Sequence, residues 1–194
     1  MQRTKAELRE AILLTRRALS FEEHDREAQA LANHLAALVT DAQTVCAYVP
    51  VGSEPGSLEV LDSLRRRGVR VLLPVTGSTE TTGAPEPLQW GEYRPGELIG
   101  ARHGLKEPAP PWLAADAIKD ASVILVPALA VDHAGVRLGR GAGFYDRSLP
   151  LADAAARLIA VVRDDELVDR LPAEPHDVRM THALTPHNGL VTLG

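Results

Sequence analysis

The sequence predicts an α/β fold: a mostly parallel sheet flanked by helices, in one domain spanning residues 1–194. Segments with helical periodicity alternate with short apolar and β-branched runs, the strand, helix, strand order that a parallel sheet with covering helices requires. One run, Ser-Val-Ile-Leu-Val-Pro at residues 122–127, is apolar without alternation, as strands buried on both faces are. A chain of 194 residues, 45% hydrophobic and 24% charged, can bury a substantial core and shows no sign of a disordered or fibrous protein.

From the amino end, Thr4 and Glu7 form a capping box, and Leu8, Ile12, Thr15 and Leu19 follow at helical spacing, so the first helix is expected to run to about Ala18. At ~100° per residue, Lys5, Arg9 and Arg16 fall within ~40° of one another, on a strip bordering the apolar face. No acid stands four residues beyond Lys5 or Arg9; Lys5 meets Arg9 there and Arg9 meets Leu13. Like charges so spaced repel, and a bound anion would relieve them. A solvated basic face and an anion site are both compatible with this strip.

A second capping box, Ser20 with Glu23, opens a helix that turns Leu31, Leu35 and Leu38 to the core. Residues 45–49 read as a strand and residues 50–57 as a turn-rich loop. Ser57 stands where it can cap a helix through Leu64 that ends at Gly68. Residues 69–73 form a strand closed by Pro74. Residues 76–87, rich in Thr, Gly, Ser and Pro, read as an exposed loop or hairpin tip rather than a domain linker. Residues 88–90 suggest a short edge strand, and residues 108–111 a rigid lead into a helix around 113–117. Beyond the strand at 122–127, helical turns are expected at 146–149 and 151–156, a strand at 158–162 and a last apolar piece at 190–193. The chain shows no internal repeat and no low-complexity segment.

The chemistry concentrates in residues 137–146, Arg-Leu-Gly-Arg-Gly-Ala-Gly-Phe-Tyr-Asp. Without a Cβ, Gly139, Gly141 and Gly143 can reach positive φ and let a bulky anion approach successive backbone N–H groups. Arg137 and Arg140 add fork-shaped donors suited to phosphate oxygens. Asp146 would repel a polyphosphate unless a divalent cation lay between them, which implies a magnesium nucleotide. The spacing is neither the dinucleotide fingerprint nor a Walker loop. On glycines alone, a flexible hairpin turn with solvated arginines fits equally well; the position shortly after a buried strand, where α/β folds bind ligands, favours the nucleotide.

Composition excludes other classes. A net charge of -5 argues against a nucleic-acid surface. The single cysteine, Cys46, allows no internal disulfide and lies in an apolar run as a core thiol. His24, His34, His103, His133, His176, His182 and His187 lack the spacing of a structural zinc site. Ser53 has no nucleophile-elbow context. With no signal sequence and no stretch long enough to span a bilayer, the expectation is a cytoplasmic protein without membrane partners.

The stretch Val-Pro-Ala-Leu-Ala-Val-Asp at 126–132, continuing through Gly-Val-Arg-Leu-Gly-Arg-Gly-Ala-Gly-Phe-Tyr-Asp-Arg at 135–147, resembles the signature of the 5-formyltetrahydrofolate cyclo-ligase family. The resemblance extends to Lys5 and Arg9, to Ser53-Glu54, to Glu107-Pro108 and to His176-Asp177. It implies a fold related to ribose-phosphate isomerases and coenzyme A transferases, a monomer, and ATP-dependent ring closure of 5-formyltetrahydrofolate to 5,10-methenyltetrahydrofolate with release of ADP and phosphate.

Carried onto this chain, the resemblance implies ATP contacts from Lys5, Arg9 and the turn formed by Arg137, Leu138, Gly139, Arg140, Gly141, Ala142, Gly143, Phe144 and Tyr145. Glu54 is expected to hold the pterin's amino-imine edge, with Val49 packing beside it, and residues 140–145 also reach the folate. Arg140 is the expected transition-state cation, and Asp146 and Asp177 the magnesium carboxylates. Trp90 and Trp112 are weaker candidates for the site. Ala142 stands where relatives commonly have Gly or Lys, and Val131 replaces a frequent aromatic; neither removes an assigned charge. The rival readings are a non-catalytic nucleotide- or folate-binding paralogue and, on fold kinship alone, a sugar-phosphate isomerase.

Overall fold

The chain's elements, in a computed structural model that describes residues 4–41, 43–76 and 86–194, begin with α1 (Lys5–Arg17), α2 (Phe21–Leu38), β1 (Thr44–Cys46), α3 (Leu58–Arg66) and β2 (Arg70–Val75). There follow β3 (Gln89–Glu92), β4 (Leu98–Gly100), β5 (Lys106–Pro108), β6 (Val123–Pro127), β7 (Ala130–Asp132), β8 (Arg137–Leu138) and α4 (Phe144–Ser148). The last are β9 (Arg157–Val161), β10 (Leu167–Val168), β11 (His182–Thr185) and β12 (Gly189–Thr192). Most of the loop expected at 76–87 lies outside the described residues.

Seven strands form the central sheet in the order β12-β11-β9-β6-β1-β2-β3. The five inner strands are parallel and the two edge strands, β12 and β3, are antiparallel to their neighbours. The mostly parallel α/β architecture is therefore the one the sequence predicts. From β1 the chain adds β2 and β3 on one side, then crosses to place β6 and β9 on the other. The strand order thus reverses between β1 and β6, and in open α/β sheets the crevice beyond the carboxyl ends of such strands is where ligands bind.

Side chains alternate along a strand, so Val123 and Leu125 of β6 enter one core while Ile124 and Val126 enter the other, all no more than 4% exposed. Leu31 and Leu35 of α2 and Val60, Leu61 and Leu64 of α3 cover the first face. Ile118, Leu149, Ala156 and Met180 cover the second. A satellite core lies under α1, where Leu8, Ile12 and Leu13 pack on Leu129, Ala130, Val136, Leu138 and Leu171 around the small sheet β10-β7-β8. No helix among the described residues is long and apolar enough to cross a membrane. Cys46 is buried and free, and burial raises its thiol pKa.

Both capping boxes form with each bond in place. Other expectations are corrected. Pro74 does not close β2 but lies inside it, opposite Trp90. Trp90 directs its own N–H and C=O to Leu113, so this Pro74–Trp90 pair carries no ladder bonds, and the side of Pro74 lacking a donor faces past the end of β1 at Cys46. Ser57 occupies the N-cap of α3 without a side-chain cap bond. The helix expected around 113–117 is a 3-10 turn at Ala115–Asp120, because Leu113 bridges to Trp90. Helix α4 starts at Phe144, two residues before the expected turn at 146–149, and only Leu149–Leu151 continues it, as a 3-10 turn. Arg16 leaves the exposed cationic strip altogether. It is 2% exposed, its Nε and Nη2 donating to the Glu166 carboxylate at 2.6 and 2.7 Å and Nη2 also to the Ala128 carbonyl at 2.7 Å.

Candidate active site

The glycine turn hangs from the β7–β8 hairpin at the carboxyl end of β6. Asp132, buried at 1% exposure, accepts from the N–H groups of Ala134, Val136 and Leu171, which fixes the hairpin and ties it to the segment before residue 174. Within the turn, Gly141 and Gly143 take φ of 106° and 75°, values that side-chain-bearing residues rarely adopt. Gly139 serves differently: it is not among the positive-φ glycines, but a Cβ there would stand 3.1 Å from Arg137 Nη1. Gly143 ends the turn as the N-cap of α4. Leu138 is a core side chain, whereas Arg140, Gly141 and Ala142 are exposed.

Helix α1 closes over this turn. Arg9 Nε donates to the Gly139 carbonyl at 2.9 Å, and its guanidinium carbon lies 3.7 Å from where a Gly141 Cβ would be. Lys5, one helical turn earlier, reaches Glu174 at 2.9 Å and Asp177 at 3.2 Å. These carboxylates, rather than an anion, answer the repulsion between Lys5 and Arg9. Desolvation acts to lower the Lys5 pKa, but the bonds to Glu174 and Asp177 outweigh it and leave it raised. For Asp177, desolvation acts upward, yet the Glu174 N–H at 2.8 Å and Lys5 hold the carboxyl below its ordinary value.

The loop after β1 supplies the facing wall. Glu54 Oε1 lies 2.9 Å from Arg140 Nε, and its Oε2 accepts from the Val51 N–H at 3.0 Å. Val49 packs against the first core beside this loop. The Tyr145 phenol pKa is raised first by burial and then by the Glu54 carboxylate, which puts Tyr145 within the electrostatic reach of Glu54. Phe144 and Tyr145 are partly buried against the second core.

Two sequence-based assignments look different in three dimensions. Arg137 Nη2 is 2.6 Å from Asp146 Oδ1, and its guanidinium lies 5.6 Å over the Tyr145 ring. Asp146 is thus balanced by an arginine, so its charge does not by itself require a divalent cation. Asp177 belongs to a group with Glu174 and His176 whose ligand atoms all lie within 4.8 Å of one another, and Asp146 is not a member of it. Trp90 is fully buried core; Trp112 is half-exposed, with Nε1 bonded to the Pro108 carbonyl. Glu107 is buried and accepts from the Thr76 N–H and hydroxyl. Sequence reasoning did not find Glu174, a lone acid between prolines and small residues with no periodic signal, nor the Glu166 partner of Arg16.

A mostly parallel sheet beside whose switch point a glycine turn, two helix-borne cations and the Glu54 carboxylate come together defines an α/β protein with its charged groups gathered where such folds bind ligands. The matches to known proteins narrow the class. Residues 1–186 match the model of the 5-formyltetrahydrofolate cyclo-ligase family, and the chain belongs to that family. It is 60% identical over 191 residues to the 5-formyltetrahydrofolate cyclo-ligase of Mycolicibacterium smegmatis, covering 98% of each chain. The cyclo-ligase of Escherichia coli K12 is 30% identical over 175 residues, 88% of this chain and 94% of that one. Among solved structures, the 5,10-methenyltetrahydrofolate synthetase of Aquifex aeolicus superposes with a TM-score of 0.77 at 25% identity, over 97% of this chain and 92% of that one. The synthetase of Mycoplasma pneumoniae, at 22% identity and a TM-score of 0.68 over 92% and 96% of the two chains, shares the fold.

Proposed function

We propose that this chain, acting as one catalytic domain over residues 1–194, closes 5-formyltetrahydrofolate to 5,10-methenyltetrahydrofolate at the expense of ATP. The single observation that carries the reading is the meeting of Arg9 and Arg140 on one glycine turn, with Arg140 Nε only 2.9 Å from Glu54. Cations suited to a polyphosphate thereby stand beside a carboxylate suited to a pterin's donor edge.

The chemistry explains the need for ATP. The N5-formyl group is an amide, and the resonance that gives a peptide bond its ~18–20 kcal/mol rotation barrier makes the formyl carbon a poor electrophile. The formyl oxygen attacks the γ-phosphorus and ADP leaves, giving an iminium phosphate. N10 of the same folate then attacks the formyl carbon and loses its proton, and inorganic phosphate departs with the original formyl oxygen. No enzyme nucleophile is required, so the protein aligns the reactants and stabilises charge.

Lys5, Arg9 and the backbone of residues 137–145 would hold the triphosphate. Arg140 would meet charge developing on the transferring phosphoryl group. Glu54 would accept two hydrogen bonds from the amino-imine edge, Val49 packing beside it and Phe144 and Tyr145 giving apolar surface. The carboxylates of Asp146 and Asp177, with Glu174 near the latter, are the hard oxygen donors magnesium prefers, and the ion would neutralise phosphate charge.

The test is absorbance of methenyltetrahydrofolate formed from 5-formyltetrahydrofolate with and without MgATP. Product that depends on ATP is expected; its absence would reject the enzyme in favour of a non-catalytic binding paralogue. Glu54→Gln provides a second check. An amide presents one donor where the pterin edge needs two acceptors, so the folate KM should rise about tenfold or more, the order expected for a charged hydrogen bond lost. An unchanged folate KM removes Glu54 from this contact.

A further inference from the structure

Glu54 would hold the folate and Arg140 would meet the transferring phosphoryl group, yet the two side chains pair with each other at 2.9 Å. We propose that Glu54 is also the positioning residue for Arg140: it parks the guanidinium on the folate wall, and the arriving pterin edge releases it to the phosphates. The inference rests on the ligand assignment made above.

Three observations support it. The Arg140 side chain is 51% exposed and Glu54 only 12%, so the arginine is the partner free to move. Its flanking residues Gly139 and Gly141 carry no side chains of their own, and Gly141 is already at positive φ, so the backbone on either side of Arg140 is the least restricted in the turn. Glu54 is pinned by its own loop, because Oε2 accepts from Val51 N–H while Glu54 N–H donates to the Val51 carbonyl at 3.2 Å. The remaining oxygen, Oε1, is the one Arg140 occupies. A pterin edge offers a pair of N–H donors in a fork, like a guanidinium, and competes with Arg140 Nε for Oε1.

The electrostatic consequence is a coupling of the two subsites. Paired to Glu54, Arg140 presents a nearly neutral ion pair to a polyphosphate; released, it presents a full positive charge. Folate therefore tightens nucleotide binding, and by linkage nucleotide tightens folate binding by the same factor. The phosphoryl donor is gripped fully only when its acceptor is present, which disfavours idle hydrolysis of ATP.

The experiment is calorimetric titration of the whole chain with the β,γ-imido analogue of ATP plus magnesium, with and without saturating 5-formyltetrahydrofolate. In the wild type, folate should lower the nucleotide Kd about tenfold, within the usual range of such couplings. Two variants should abolish the coupling from opposite ends. In Glu54→Gln the arginine is never parked, so nucleotide without folate binds as tightly as wild type binds it with folate. In Arg140→Met nucleotide binds weakly and equally with or without folate. A merely structural role for Glu54 would weaken nucleotide binding in Glu54→Gln instead of tightening it. A wild-type Kd indifferent to folate, or a Glu54→Gln variant that does not tighten, overturns the proposal while leaving the catalytic reading standing. A wild-type chain that makes no methenyltetrahydrofolate overturns the catalytic reading, and this coupling with it.

Discussion

Arg140→Ala is expected to lower kcat by about 10²–10³-fold, the loss found when a single preorganised transition-state donor is removed, with the melting temperature essentially unchanged. The two halves of this expectation have separate causes. Arg140 is exposed on a glycine turn, and an ion pair with an exposed member contributes only ~0–1 kcal/mol to folding. Nothing else in the turn depends on it: Arg9 remains on the Gly139 carbonyl, Arg137 on Asp146, and Glu54 keeps its bond to the Val51 N–H. During reaction, by contrast, negative charge builds on the β,γ-bridging oxygen that leaves with ADP and is spread over the phosphoryl oxygens as the group passes to the formyl oxygen. Of the proposed cations, Arg140 is the one whose Nε lies beside Glu54, the carboxylate proposed for the pterin edge. Because Lys5 and Arg9 would, in the proposed set, still hold the nucleotide, the ATP KM should change less than kcat. Steady-state kinetics and a thermal melt on the same preparation check both halves; a near-normal kcat removes Arg140 from catalysis.

What could be read from the chain beforehand divides along the range of the interactions. The two capping boxes are complete within four residues each, and both form. The strand at 122–127 announced burial on both faces by its lack of alternation, and as β6 it lies between β1 and β9 with both faces covered. The glycine turn was legible because positive φ is a backbone demand that glycine alone meets readily. Pro74 was misread because its tolerance depends on where a neighbouring strand stops. Arg16 was misread because periodicity gives the angle of a side chain about a helix but not what waits there; its partner Glu166 is 150 residues away. The same limit applies to Lys5, whose carboxylate partners lie 169 and 172 residues off. The Arg140–Glu54 pairing was likewise invisible, although both residues had been singled out for the site.

The largest effect on stability is expected at Arg16 and Glu166. The pair is buried on both sides, with side-chain exposures of 1% and 4%, and two parallel bonds join guanidinium to carboxylate. Glu166 Oε2 also accepts from the Arg163 N–H at 2.7 Å, and Arg163 in turn grips Glu27 of α2. Arg16→Met strips the carboxylate of its counter-charge where water cannot replace it, and should destabilise the protein by about 3–5 kcal/mol, a large share of the ~5–15 kcal/mol typical of a folded domain. The double variant Arg16→Met/Glu166→Leu removes both charges together and should recover most of that loss, because well-packed apolar replacements of buried pairs are often neutral or stabilising. Denaturant midpoints at constant m-value measure both; a double variant no more stable than the single one would mean that the bonds to Ala128 and Arg163, not the ion pair, hold this corner. The site depends on the same corner. Arg9 and Arg16 are seven residues apart and so lie within ~20° on one face of α1, about 10.5 Å along its axis. Fixing Arg16 to Glu166, just before β10, and to the Ala128 carbonyl, just after β6, therefore sets the azimuth at which α1 delivers Arg9 to the turn, and in the single variant that loss should appear as a raised ATP KM even at temperatures where the chain remains folded.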